Sequence, residues 1–294
     1  MKTSPHLLVL LLASLAPLYA ATDGAGLFDK SNIVAWCIVP YDARKRGPEE
    51  RAEMLEQLGL RKLAYDWRGE HVNTFDAEIE AMKRHHIELT AWWCPANAND
   101  PAAQKILAAI KQGGVHPQLW VPGAGKQALD TPEGPARLEA QAERIRGIAK
   151  AAAELGCKVG LYNHREPWFE DQDNQIAIIE RLKRDGITNV GIVFNFHHWH
   201  GSLDEFPARF KRMQPYLLAV NLNGMPADTT NYTGVNFVGT GQSEKRMMKV
   251  VLASGWHGPV GIINEHADMD AADALSRNLD GLARIAADLA SEAR

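Results

Sequence analysis

Eight short apolar runs, each followed by an amphipathic stretch at helical spacing, predict an α/β chain built as a (β/α)8 barrel. The runs are near-continuous in apolar character, as strands buried on both faces are, whereas half-exposed strands would alternate. Neither a dinucleotide glycine fingerprint nor a phosphate loop follows the first run, which disfavours a doubly wound open sheet. A length of 294 residues suits one such barrel, a fold that commonly uses about 250.

The expected strands are 33–39 (IVAWCIV), 62–67 (KLAYDW), 87–93 (IELTAWW), 116–121 (HPQLWV), 158–163 (KVGLYN), 190–195 (VGIVFN), 216–222 (YLLAVNL) and 258–264 (GPVGIIN). The expected helices are 48–58, 74–86, 101–112, 134–155, 172–185, 203–213, 242–254 and 270–291. Thr131 is a cap candidate for the fourth helix and Gly156 its stop. The segment 223–242 is the one long irregular insertion.

Ahead of the barrel, residues 1–21 combine an early lysine, a short apolar run and small residues, the pattern of a secretory signal cut near Ala20 or Ala21. Ser14, Pro17 and the shortness of the run argue against a stable membrane span. The expected organisation is therefore a signal peptide (1–21), a spacer (22–30) and a single-domain barrel (31–294), secreted or periplasmic, with no membrane insertion after cleavage. Cys37, Cys94 and Cys157 lie in or beside apolar runs, an odd set that reads as free core thiols. The mild net charge of −4, scattered over helices, disfavours a nucleic-acid partner. A homo-oligomer is compatible with the residues.

In a (β/α)8 enzyme the working residues stand at the C-terminal strand ends and in the loops beyond. That rule collects Tyr41, Asp42, Asp66, Arg68, Glu70, His71, Tyr162, Asn163, His164, Glu166, Asn195, His197, His198, His200, Asn221, Asn223, Asn264, Glu265 and His266 on one rim. Trp67, Trp93, Trp120, Trp168 and Trp199 fall at or beyond strand ends as well. Aromatic faces beside amides, carboxylates and imidazoles suit a polyhydroxylated ring, whose C–H faces stack while its hydroxyls need partners. The expected ligand is a small-molecule carbohydrate. His85, His86 and His257 read as structural or surface residues.

The segments LYNH (161–164), NFHH (195–198), VNLNG (220–224), GTGQSE (239–244) and GPVGIINE (258–265) resemble the motifs of xylose-isomerase-like TIM barrels, a family of sugar isomerases and epimerases with a DNA-repair branch. Asn163, His164, His198 and Glu265 match the pattern. Tyr162, Asn195 and Asn221 stand where the family carries Glu, Asp and His. There those positions, with the final Glu, bind a divalent cation and supply paired carboxylates.

The resemblance thus implies a divalent ion (Mn, Mg, Co or Zn), and the three replacements remove charge and basicity from its ligand set. An altered set of His164, His198, His200 and Glu265 is the remaining metal candidate. The catalytic candidates are Glu265 as base and His198 and His164 as donors. Asp66, Arg68, Trp93, Tyr162, Asn163, Trp168, Asn195, His197, Trp199, Asn221, Asn223 and Asn264 are the substrate-binding candidates. Three functions stay open: isomerase or epimerase chemistry by abstraction of a proton α to a carbonyl, 3-keto-glycoside cleavage by β-elimination, and a non-catalytic carbohydrate-binding barrel. A metal-dependent hydrolase built on the histidines is a further reading.

Overall fold

The computed structural model describes residues 26–124, 134–164, 166–230 and 234–292. The expected signal peptide, the first part of the spacer and Thr131 lie outside the described residues. All eight expected strands form: β1 (Ile33–Trp36), β2 (Lys62–Tyr65), β3 (Glu88–Trp93), β4 (Gln118–Val121), β5 (Val159–Tyr162), β6 (Val190–Asn195), β7 (Leu217–Leu222) and β8 (Val260–Ile263). They pair in parallel and in sequence order, and β1 closes on β8 through Ile33 opposite Val260 and Trp36 opposite Ile263.

Outside the strands lie α1 (Pro48–Gln57), α2 (Phe75–Arg84), α3 (Pro101–Gly113), α4 (Pro135–Glu154), α5 (Pro167–Glu170), α6 (Gln172–Lys183), α7 (Phe206–Met213), α8 (Glu244–Ala253) and α9 (Ala271–Glu292). Local chemistry sets their ends. Asp100 accepts from the N–H groups of Ala102 and Ala103 at the start of α3, Pro101 occupies its first position, and Gly114 closes it in a left-handed conformation at φ 61°. Within the described residues the cap position of α4 is Gly134. The short α5, which the sequence reading lacked, is capped by Glu166 accepting from Trp168 N–H at 3.1 Å. No helix among the described residues is long and apolar enough to cross a membrane.

Two apolar layers result. The larger lies between strands and helices. The smaller fills the barrel: Val34, Trp36, Cys37, Ala64, Ala91, Trp120, Tyr162, Val193, Ala219 and Ile263. Large rings from β1, β4 and β5 interlock with alanines from β2, β3 and β7, the volume compensation that a closed interior requires. Gly160 belongs to this compensation, because a Cβ there would fall 2.4 Å from Val193 and 3.1 Å from the Trp120 ring. The three cysteines are free and buried, as expected.

Candidate active site

A cavity of about 460 Å³ opens at the C-terminal end of the barrel, a volume within the range of small-ligand pockets. Its floor is aromatic. Trp36 and Tyr162 rise from β1 and β5 with ring centroids 5.8 Å apart, and Trp93 meets Tyr162 edge-on at 5.1 Å. The Tyr162 hydroxyl accepts from Trp36 Nε1 at 2.9 Å and from the Asn195 amide. Burial pushes the Tyr162 phenol well above its ordinary pKa, so it stays protonated.

One wall carries the carboxyl groups. Asp66, just past β2, is 2 % exposed; its Oδ1 accepts from Val39 N–H at 3.1 Å, while its buried Oδ2 has no protein partner. Burial raises this carboxyl to about 7, against the smaller opposing pull of the Val39 N–H and the Arg68 guanidinium. Cys37, at φ 57°, turns the chain out of β1 toward Val39, a backbone conformation costing about 1–3 kcal/mol of the kind found at functional sites. Glu265, after β8, is exposed at the mouth and its Oε1 accepts from the Tyr41 hydroxyl at 2.9 Å. The Arg68 guanidinium lies 5.8 Å from the Tyr41 ring centroid. Burial, and then the hydrogen bond to Glu265, push the Tyr41 phenol up, so it remains a donor.

The opposite wall is imidazole. His164 and His198 meet at right angles with ring centroids 4.6 Å apart, and His197 lies 4.5 Å from His198. Burial drives the His198 ring down to about 2, with His197, His164 and His200 adding like-charge repulsion. His198 is therefore neutral at ordinary pH, a state in which its ring N–H can donate a hydrogen bond but the ring is no charged acid. His197 Nδ1–H donates to Gly234 O at 2.9 Å, which orients that ring.

Of the expected residues, the cavity gathers Asp66, Arg68, Trp93, Tyr162, His164, Asn195, His197, His198 and Glu265. Others stand away from its lining and serve the scaffold. Asn163 exchanges bonds with the Asn195 backbone at 2.9 and 3.2 Å, Asn264 accepts from Asn278 at 3.0 Å, and Asn223 donates to Gly224 O at 2.9 Å. Asn221 is buried against Gly261, where a Cβ would fall 1.9 Å from its Oδ1. Trp199 packs on Phe206 at 5.4 Å, Trp168 joins the outer apolar layer, and Trp120 lies fully buried in the barrel interior. The four metal candidates divide. His198 and His200 group with Glu170, whereas Glu265 pairs with Tyr41 on the carboxyl wall.

Sequence reasoning missed Trp36 and Cys37 as lining residues, because an apolar run gives no sign of which member tops the barrel. It also missed Glu170, which α5 carries toward the histidines.

Together the closed barrel and its polar C-terminal mouth define a (β/α)8 protein with an enzyme-like ligand cavity. The chain belongs to the xylose isomerase-like TIM barrel family, whose sequence profile matches residues 66–285. No curated protein matches the sequence. Among solved structures it is similar to the 3-keto-D-glucoside 4-epimerase YcjR of E. coli, with 15 % identity, a TM-score of 0.60, and coverage of 87 % of this chain and 98 % of that one. The D-allulose 3-epimerase of Methylomonas sp., solved with D-allulose, gives 11 % identity and a TM-score of 0.60 over 89 % of this chain and 96 % of that one. The IolI protein with a binding zinc atom gives 13 % identity and 0.60 over 88 % and 98 %. At these identities the likeness establishes the fold.

The family's metal centre does not fit the residues here. Its expected positions are occupied by a phenol and two neutral amides. The Tyr162 hydroxyl accepts from the Asn195 amide and from Trp36 Nε1, and Asn221 sits buried opposite Asn195 in the β6–β7 register. A hard divalent ion would meet one carboxylate, Glu265, already engaged by Tyr41.

Proposed function

We propose that this chain is a carbohydrate-active enzyme, sugar isomerase or epimerase-like, that moves a proton α to a carbonyl of a sugar or keto-sugar in the barrel mouth. The observation that carries the reading is Asp66: a buried carboxyl whose Oδ2 lacks a protein partner, in the same cavity as Glu265. Buried polar atoms are nearly always paired, so this oxygen calls for a ligand group. The unpartnered, buried Oδ1 of Asn195 calls for another.

Glu265 is the base. Tyr41 holds Oε1, which leaves Oε2 to face the C–H next to the carbonyl. Asp66, protonated below about pH 7, is the acid that returns or delivers a proton. Neutral His198 donates a ring N–H to the developing enolate, with His164 beside it. Trp36, Trp93 and Trp67 offer ring faces to the sugar.

A second reading is favoured by the same Asp66. A protonated carboxyl suits a leaving glycosidic oxygen, so β-elimination of a 3-keto-glycoside would use Glu265 and Asp66 in the same two roles. The leader pattern of residues 1–21 supports a periplasmic or secreted place of action.

The test is exchange of the substrate C–H proton with solvent deuterium, followed by NMR over free ketoses and 3-keto-glycosides. Exchange is expected on at least one class, falling about 10²–10⁴-fold in Glu265→Gln. Product analysis separates epimer from eliminated glycoside. Exchange unaltered by Glu265→Gln, or binding of glycans with no exchange on any substrate, would sink the reading, the latter in favour of a binding barrel.

A further inference from the structure

On the imidazole wall, two short helical turns bring a second donor set together. Glu170 ends α5, His198 ends the single 3-10 turn Phe196–His198, and His200 follows two residues on. His198 Nδ1 stands 3.8 Å from Glu170 Oε1, and His200 Nε2 stands 4.0 Å from Glu170 Oε2. One donor atom from each residue lies within 4.8 Å of the other two. These separations are too long for hydrogen bonds. They are close to what one ion imposes: bonds of about 2.0–2.2 Å hold tetrahedral donors about 3.3–3.6 Å apart. The His200 side chain is 40 % exposed, so packing does not enclose it on every side.

Both turns are anchored. Gln172 and Asn174 at the start of α6 donate to Glu170 O at 2.6 Å and Trp168 O at 2.8 Å, and Phe169 is fully buried beneath. On the other side Trp199 N–H donates to Phe196 O at 2.9 Å, with Phe196 and Trp199 in the apolar layer under the turn. Two imidazoles and one carboxylate on fixed backbone form the three-ligand set of an open zinc-type site.

We propose that Glu170, His198 and His200 bind one divalent transition-metal ion of the zinc type, at a place distinct from the family centre whose positions Tyr162, Asn195 and Asn221 have abandoned. An ion on His198 Nδ1 fixes the tautomer with the proton on Nε2, the only ring nitrogen then left to donate toward the cavity. That positioning role rests on the proton-transfer reading above; the binding itself does not.

The experiment is titration of Zn²⁺ into the chelator-stripped full chain by calorimetry, with bound metal counted by elemental analysis. The expected result is one Zn²⁺ per chain, an affinity lowered at least tenfold in both Glu170→Gln and His200→Ala, and a Kd within about twofold of the original in Glu265→Gln. Circular dichroism and melting temperature check that each variant is folded, and the visible bands of the Co²⁺-loaded protein report imidazole ligation in those that fold poorly with zinc. No stoichiometric zinc on the folded chain overturns the proposal, as does zinc retained in both Glu170→Gln and His200→Ala or lost in Glu265→Gln. Deuterium exchange is read separately, so failure of either inference leaves the other measurable.

Discussion

The two walls of the barrel mouth meet a ligand with opposite chemistry. The wall built from β1, β2 and β8 carries Asp66, a carboxyl that burial raises to about 7, and Glu265, which accepts from the Tyr41 phenol. The wall built from β5 and β6 carries imidazoles, of which burial and mutual repulsion hold His198 uncharged. Histidine is the usual pH-responsive side chain, yet here the pH response belongs to an aspartate. Environment, and not residue type, assigns the roles.

Three substitutions press on this contrast. The largest effect is expected from Asp66→Asn. Turnover should fall about 10²–10⁴-fold, and the alkaline limb of the wild-type rate profile, which sets in near pH 7 as Asp66 loses its proton, should vanish. The same group makes stability depend on pH. Its folded pKa of about 7 lies above the ordinary 3.8, so its contribution is complete below 3.8 and is lost as pH rises through about 7. The loss is on the order of 4 kcal/mol at most, by the conversion of about 1.4 kcal/mol per pH unit. Denaturant titrations of wild type and Asp66→Asn at pH 4 and pH 8 should diverge by a few kcal/mol, with the variant relatively more stable at pH 8.

His198→Ala should slow turnover about 10–100-fold while leaving the alkaline limb near pH 7 where it was, since a neutral ring has no proton to lose over that range. A shifted limb would break the contrast. The smallest effect is expected from Tyr41→Phe. Removing the donor that holds Glu265 Oε1 in place should lower the rate several-fold, read by steady-state kinetics.

How much of this was legible in the sequence follows from what each signal measures. The strand β6 begins and ends where the apolar run does, at Val190 and Asn195, because its six residues are all buried. Other strands are shorter than their runs, since Ile38 and Val39 of the first run, for example, are buried in the turn after β1 and not in the sheet. Position at a strand end located the mouth but not the direction of a side chain. Neighbours alternate, so Tyr162 points into the barrel while Asn163 bonds the backbone of β6. Glu170 escaped because a four-residue helix has no periodicity to detect, and only the fold carries it to His198 and His200.

The glycine-rich stretch before α8 holds one more feature. Glu244, 1 % exposed, turns its carboxylate back onto three backbone N–H groups: Met225 at 3.0 Å, Gly239 at 3.1 Å and Gly241 at 2.8 Å. Convergent amides of this kind make an anion cradle. Here the chain supplies its own anion, tethered and therefore present at a very high effective concentration. Those three N–H groups are thereby spent inside the fold, and the first turn of α8 is tied to the loop after β7 by its own side chain.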